Sequence, residues 1–369
     1  MKLIINASLA YGGGGLQVAL SFINECLYIR GNQYYVFASR NVVSQLDKSI
    51  FPDNFIFYDI PPLKFYQYNF YLSQLEKKIL PDVVFSIFGP VYWKPSVPHI
   101  MGYAIPHYIY KDSPYWDIIS IKERLKIKIK EFFHMYFLKR DASAFICETD
   151  DVRTRLTLLF PKKKCYTVSN TYSSFFEKKV LCRDFIGLKD TSKFRFLTVS
   201  RYYPHKNLEI IRLIVDKLRE NDIKDIQFVL TISPSDYEKI FGIDYVEEVK
   251  NVGPVIASEC PSLYNDCDAV FLPSLLECFS ANYPEAMIMK KPILTSDLPF
   301  ARTVCGNAAL YFTPLNVMDA VDKILLIYHD DDCVRNLLLF SELKLREFPL
   351  PCERAHLYLE ICEKERKGE

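Results

Sequence analysis

Apolar and polar positions alternate in blocks along the whole chain. A short apolar run at 2–6 is followed by four consecutive glycines, Gly12 to Gly15, and then by Leu16, Val18, Ala19, Leu20, Phe22, Ile23 and Leu27 at helical spacing. Short runs rich in β-branched and aromatic residues at 34–38, 55–58, 81–86, 99–103, 144–147 and 165–168 predict further strands, with helices over 120–139 and 150–160. The stretch 177–193 is charged and aperiodic, which predicts a linker. The rhythm then restarts. Strands are expected at 194–199, 226–230, 251–255, 269–273 and 292–296, and an amphipathic helix over 207–220. After Pro349 and Pro351 a last helix is expected over 352–367. Strands alternating with helices give a parallel α/β sheet, and two such halves joined by a linker give two Rossmann-like domains. The expected division is 1–180, 181–347 and a closing helix, 348–369.

Composition narrows the class. The chain has 369 residues, 50% of them apolar, with 46 basic against 45 acidic side chains and a net charge of +1. This excludes a disordered chain and argues against a nucleic-acid binder. No run of 18 apolar residues predicts a membrane-crossing helix, and the N-terminal run is too short for a signal peptide, so a cytoplasmic setting is expected. The 11 cysteines are scattered singly with no C-x-x-C pair, so most are expected to be small buried hydrophobes.

Three segments carry candidate chemistry. The glycine loop lies between a strand and a helix, where a ligand can approach the backbone and an anion can meet free N–H groups. It fits neither G-x-x-x-x-G-K-S/T nor G-x-G-x-x-G, because Gln17 stands where the last glycine belongs. The second segment, Ser200-Arg201-Tyr202-Tyr203-Pro204-His205-Lys206-Asn207, places two cations five residues apart after a parallel strand. That edge of an α/β sheet binds ligands, and the two cations suit a diphosphate. The third segment, 273–287, holds Glu277 in a loop and Glu285 in the helix behind it. Ser280 is placed to cap that helix, and backbone N–H groups of Phe279, Ser280, Ala281 and Asn282 are expected to face the same cleft. Carboxylates accept paired sugar hydroxyls, and N–H groups suit phosphate.

A glycine loop, an R-x4-K after the second domain's first strand, and then E-x7-E resemble retaining glycosyltransferase family 4, of GT-B fold, and of the polysaccharide and O-antigen type. The run Leu263 to Ser274 and the late helix that crosses back to the first domain resemble it too. The resemblance implies retaining transfer of a sugar from a UDP- or GDP-linked donor to an acceptor hydroxyl, with a lipid-linked saccharide in bacterial surface polysaccharide synthesis as acceptor. Arg201 and Lys206 would meet the donor diphosphate, Glu285 the ribose hydroxyls and Glu277 the donor sugar. Gly13 and Gly14 would lie beside the reacting centre. His107 resembles a histidine that relatives place near the donor sugar. Where the family usually has Phe-Gly after the first glutamate, this chain has Phe279-Ser280.

No metal and no other cofactor is expected. The histidines show no metal spacing, and Asp266-Cys267-Asp268 falls at the N-terminal end of a strand, the edge opposite to ligands. A basic strip at 122–133 has two readings, a solvated helix face and a peripheral contact with the inner membrane face. Two other function classes remain open on the sequence: a nucleotide-sugar epimerase or phosphorylase on the same fold, and a non-catalytic GT-B partner subunit.

Overall fold

A computed structural model describes residues 1–178, Phe185 and 192–369. Seven parallel strands form the first sheet. They are β1 (Lys2–Ala7), β2 (Gln33–Ala38), β3 (Phe55–Asp59), β4 (Val83–Ser86), β5 (His99–Gly102), β6 (Ala144–Cys147) and β7 (Lys164–Thr167), in the order β3-β2-β1-β4-β5-β6-β7. Six parallel strands form the second: β8 (Phe194–Thr198), β9 (Ile226–Leu230), β10 (Val249–Asn251), β11 (Ala269–Leu272), β12 (Ile293–Ser296) and β13 (Ala309–Phe312), in the order β10-β9-β8-β11-β12-β13. The central strands are buried on both faces, which is why they read as unbroken apolar runs. Each sheet reverses its strand order once, between β1 and β4 and between β8 and β11. Crevices that take ligands open at the carboxyl ends of strands at such points.

The helices that matter to the site are α1 (Gly13–Glu25), α2 (Phe65–Ile79), α3 (Ile121–Asp141), α4 (Ile210–Glu220), α5 (Asn282–Ile288) and α6 (Pro351–Lys367). The chain divides into two units. The first comprises Met1–Ile109, Ser120–Asn170 and Pro349–Glu369, and the second Tyr110–Ile119 and Thr171–Phe348. The segment Tyr110–Ile119, which the sequence division groups with the first domain, thus packs with the second. The boundary expected at 180/181, and most of the expected linker, lie outside the described residues.

In the first unit, α6 completes the core. Tyr358 meets Phe22 of α1 edge-to-face at 5.4 Å and Phe85 of β4 at 5.1 Å. The buried guanidinium of Arg354 donates to Ser21 at 2.6 Å and to Asn170. The expected return of the last helix to the first domain is what the chain does. In the second unit, one stripe of α4 (Ile210, Ile211, Ile214, Val215 and Leu218) is buried against the sheet.

Two elements differ from the sequence expectation. The helix expected from 207 starts at Ile210. Pro204–Lys206 forms a 3-10 turn, and Asn207 then takes a left-handed φ of 52°, which no helix continues. β10 runs over Val249–Asn251 rather than 251–255, because Gly253 has a φ of 76° and turns the chain. Of the described cysteines, Cys26, Cys147, Cys260, Cys267, Cys278, Cys305 and Cys362 are buried, as small hydrophobes would be.

Candidate active site

The second unit's switch point gathers the candidate charges. The loop after β8 runs into the 3-10 turn, and the loop after β11 runs into α5. The backbone N–H of Leu275 donates to the His205 carbonyl at 2.7 Å, so the two loops are joined directly. The Asn282 side chain donates to the Val199 carbonyl at 2.8 Å, tying the start of α5 to the end of β8. Thr295 of β12 accepts a hydrogen bond from the Tyr283 hydroxyl at 3.0 Å and donates to the Leu272 carbonyl at 2.9 Å. The helix behind the loop is therefore fixed to the end of β8 and to β12, and β12 in turn to β11.

This frame brings Lys206 against Glu277. The ammonium donates to the carboxylate, and both side chains are mostly buried, at 16% and 12% exposure. A pair so shielded from water is stronger than a surface ion pair, and removing either partner leaves an uncompensated charge. Arg201, five residues upstream, is exposed on the same loop. It forms no side-chain hydrogen bond or ion pair with the described residues. One cation is thus held and one is free to move.

Glu285 occupies a different environment. The Tyr264 hydroxyl donates to its carboxylate at 3.0 Å and reaches the Asn282 side-chain oxygen at 3.3 Å. Burial pushes the Glu285 carboxyl up to about 7, and the bond from Tyr264 works against that shift. Burial, and then the Glu285 charge, push the Tyr264 phenol far up, so it stays a donor.

Phe279 packs edge-to-face on Phe348 at 6.2 Å. The expected Ser280 cap is not formed. Ala281 flanks α5 and no side chain caps it. Ser280 lies one residue too early, and only its carbonyl is used, accepting from Tyr283 N–H at 3.2 Å. Ser280 is buried and is not among the residues of positive φ. The serine therefore stands without backbone strain.

The first unit holds the remaining candidates. Gly12 to Gly15 follow β1 at that sheet's switch point. Gly13 has a φ of 63°, which favours glycine, and a Cβ placed at Gly13 or Gly14 would meet nothing within 4 Å. The space above both backbones is open, as close approach of a ligand requires. His107 is half-buried in the 3-10 turn Pro106–Tyr108 after β5. Its neighbour Tyr108 is bonded through its hydroxyl to His134 Nδ1 at 3.0 Å, and Tyr92 is bonded to His134 Nε2 at 3.1 Å. Burial, and then the nearby Lys130, lower His134 to about 4, so it stays neutral between two phenols. Nothing in the sequence singled out His134, because its partners are 42 and 26 residues away. His99, the strand-boundary histidine, is buried between Ser86 and the Asp141 carbonyl, and burial lowers it to about 4.

The Asp266–Asp268 pair lies where the strand polarity put it. Asp268 accepts from the Arg195 backbone N–H at 2.7 Å, at the N-terminal ends of β11 and β8. Among the described residues no group of three His, Cys, Asp or Glu is arranged to hold a metal ion. None of the described helices is long and apolar enough to cross a membrane. A contributor the sequence did not suggest is Ser113. Its hydroxyl donates to the Leu275 carbonyl at 2.6 Å, two residues before Glu277. Beside it, Tyr115 meets the His205 ring edge-to-face at 6.3 Å.

The family comparison falls on the same region. Residues 183–337 match the family model described as glycosyl transferases group 1. The O-antigen chain mannosyltransferase RfbU of Salmonella typhimurium is 28% identical over 156 residues, which is 41% of this chain and 43% of that protein. The match thus spans less than half of that relative. Among solved structures, WaaG, a glycosyltransferase involved in lipopolysaccharide biosynthesis, has a TM-score of 0.74 at 12% identity, covering 98% of this chain and 99% of that one. Anabaena HepE in complex with UDP-glucose has a TM-score of 0.71 at 16% identity, covering 99% and 100%. At such identities the likeness is one of fold, and the fold is GT-B. Both loops of the second switch point, with Arg201, Lys206, Glu277 and Glu285, fall inside the matched residues.

Proposed function

We propose that the protein is a retaining glycosyltransferase that moves a sugar from a nucleotide-sugar to an acceptor hydroxyl, with a lipid-linked saccharide of O-antigen or related surface polysaccharide as acceptor. The observation that carries this reading is the Lys206–Glu277 pair beside exposed Arg201, at the switch point of a group 1 domain. The likeness to RfbU and WaaG supports the acceptor class, and the UDP-glucose complex of HepE supports a nucleotide-linked donor.

In this reading Arg201 and Lys206 receive the donor diphosphate, and Lys206 exchanges part of its contact with Glu277 for phosphate oxygen. Glu277 is then freed to accept from the donor sugar's hydroxyls. Glu285 accepts from the ribose hydroxyls. Phe279, Ser280, Ala281 and Asn282 shape the donor pocket, and Gly13, Gly14 and His107 keep the roles that the family resemblance implies for them. Departure of the diphosphate builds negative charge that the two cations stabilise, and the leaving phosphate takes the acceptor's proton.

Thermal unfolding with a panel of UDP- and GDP-sugars tests the reading. A donor that binds only the folded protein stabilises it by about 2.7 kcal/mol at 100 times its Kd. Lys206→Ala should abolish that shift, and kcat/KM should fall roughly 100-fold in Lys206→Ala and Arg201→Ala. If no nucleotide-sugar stabilises the protein, the reading is wrong. Because cations stand where a metal would otherwise offset the diphosphate, turnover should survive EDTA. Activity lost on chelation and restored by Mg²⁺ or Mn²⁺ would overturn that part.

A further inference from the structure

We propose that His134 is a positioning residue for His107, setting the turn Pro106–Tyr108 through a chain of side-chain rings that also reaches the glycine loop. The inference rests on the reading above, in which Gly13, Gly14 and His107 have the roles that the resemblance implies. Every member of the chain belongs to the first unit. Tyr11 lies in the loop after β1, Tyr92 in the loop after β4 and Tyr108 in the turn after β5, all at the carboxyl edge of the sheet. Tyr68 is on α2 and His134 on α3. The Tyr108 hydroxyl is bonded to His134 Nδ1 at 3.0 Å and the Tyr92 hydroxyl to Nε2 at 3.1 Å. Both phenol rings also meet the imidazole edge-to-face, at 5.8 and 6.1 Å. Tyr92 packs against Tyr68 at 6.5 Å, and the Tyr68 hydroxyl is bonded to that of Tyr11 at 2.9 Å. One end of the chain is thus the residue before Gly12, and the other is the residue after His107.

The imidazole suits the place. When neutral it has one donor and one acceptor, so one phenol donates to it and the other accepts. Burial, and then Lys130, keep it neutral, and burial raises the phenols of Tyr68, Tyr92 and Tyr108, so the bridge keeps its protons at neutral pH. Tyr92 has a φ of 57°, a left-handed backbone that a bulky side chain rarely adopts and that persists only where neighbours over-determine it. Phe65 at 6.0 Å and Phe137 at 4.9 Å meet the same ring. On the other flank of His107, the Tyr103 hydroxyl donates to the Ile105 carbonyl at 3.0 Å. The turn is therefore held on both sides of the histidine. An apolar side chain at 134 would fill the same space. What the imidazole adds is a fixed direction for two hydroxyls and, through Tyr108, for the turn that carries His107. Misplacing a reacting group by about 1 Å can cost roughly 100-fold in rate, so the effect belongs in kcat.

Kinetics and nuclear magnetic resonance of the full chain decide the matter together. His134→Gln keeps one donor and one acceptor, His134→Leu keeps neither, and Tyr108→Phe removes one hydroxyl while keeping the ring. Turnover is read as release of nucleoside diphosphate from UDP- and GDP-sugars. His134→Leu and Tyr108→Phe should each lower kcat about tenfold with KM for the nucleotide-sugar within about twofold, and His134→Gln should recover most of the loss. In a His107→Ala background, His134→Leu should cost nothing further. The ring resonance of His107, assigned by substitution among the six histidines, should move in His134→Leu and in Tyr108→Phe and keep its place in His134→Gln. That of His205, in the second unit, should keep its place in all three. An unmoved His107 resonance in both apolar variants, equal turnover in the glutamine and leucine variants, or a full additional loss on top of His107→Ala overturns the proposal. So does wild-type turnover in His107→Ala, which leaves nothing to position. If no nucleotide-sugar is bound or turned over, the donor reading fails, and the resonance alone decides whether His134 sets the turn.

Discussion

Glu277 and Glu285 are both glutamates near one loop, yet their surroundings give them different work. Glu277 is neutralised by Lys206, whereas Glu285 has only neutral donors close by and is held up to about 7 by burial. The free glutamate value is 4.5, so the folded protein holds this proton where an unfolded chain releases it. The stability this supplies is present below pH 4.5 and is lost as pH rises to about 7. Ribose hydroxyls donate best to the charged form, so nucleotide binding should draw the proton off. Affinity for a nucleoside diphosphate, measured by isothermal titration, should therefore rise between about pH 6 and 8. Glu285→Gln should flatten that rise and weaken binding, while Glu277→Gln should bind the sugar-free diphosphate nearly as wild type and lose kcat. Equal affinities in the two variants would show that the carboxylates are assigned wrongly. The carboxylate positions were legible in the sequence, since strand polarity and loop position set them. The Tyr264 bond and the burial of Glu285 were not, because they depend on contacts across a distance of 21 residues.

At the scale of elements, the loop that carries Glu277 is held from two directions. Leu275 donates its N–H to His205, and its carbonyl accepts from Ser113 in the segment Tyr110–Ile119. Ser113→Ala leaves that buried carbonyl without its donor, at a cost of about 1–3 kcal/mol. Ser113 would act as a positioning residue. The alanine variant should lose kcat about tenfold with diphosphate affinity unchanged, and Ser113→Thr, which keeps the hydroxyl, should recover most of the loss. Alanine and threonine variants with equal turnover would remove Ser113 from the site. Sequence pattern found the strands that are buried on both faces, because their apolar runs are continuous. It passed over β13, whose Ala309-Leu310-Tyr311-Phe312 run is short, lies at the sheet edge and is only half-buried at its centre. It also placed Tyr110–Ile119 by chain order, since nothing local in Ser113 or Tyr115 reveals that their partners lie beyond residue 200. Apolar periodicity reports that a face is buried and leaves open what buries it.

On the scale of the whole molecule, the first unit closes only when the last residues of the chain arrive. Its sheet is built from residues before 170, yet Tyr358 fills the space between Phe22 and Phe85, and Arg354 is bonded to Ser21 and Asn170. The charged candidate residues are in the other unit, whose core is separate. Stability and nucleotide binding should therefore be separable by mutation. Tyr358→Ala removes a buried ring and should cost about 3–5 kcal/mol, a large part of a typical unit's stability. The same variant should bind a nucleoside diphosphate with unchanged affinity at a temperature where it remains folded, because α6 belongs to the first unit and Arg201, Lys206, Glu277 and Glu285 to the second. Lys206→Ala should lose that affinity at a temperature where it too remains folded, beside the stability lost by leaving the Glu277 carboxylate unpaired. Chemical unfolding followed by circular dichroism supplies the first quantity and titration calorimetry the second. If Tyr358→Ala weakens diphosphate binding as much as it weakens the fold, then the donor site draws on the first unit's core, and the assignment of that site to the second unit's switch point is incomplete.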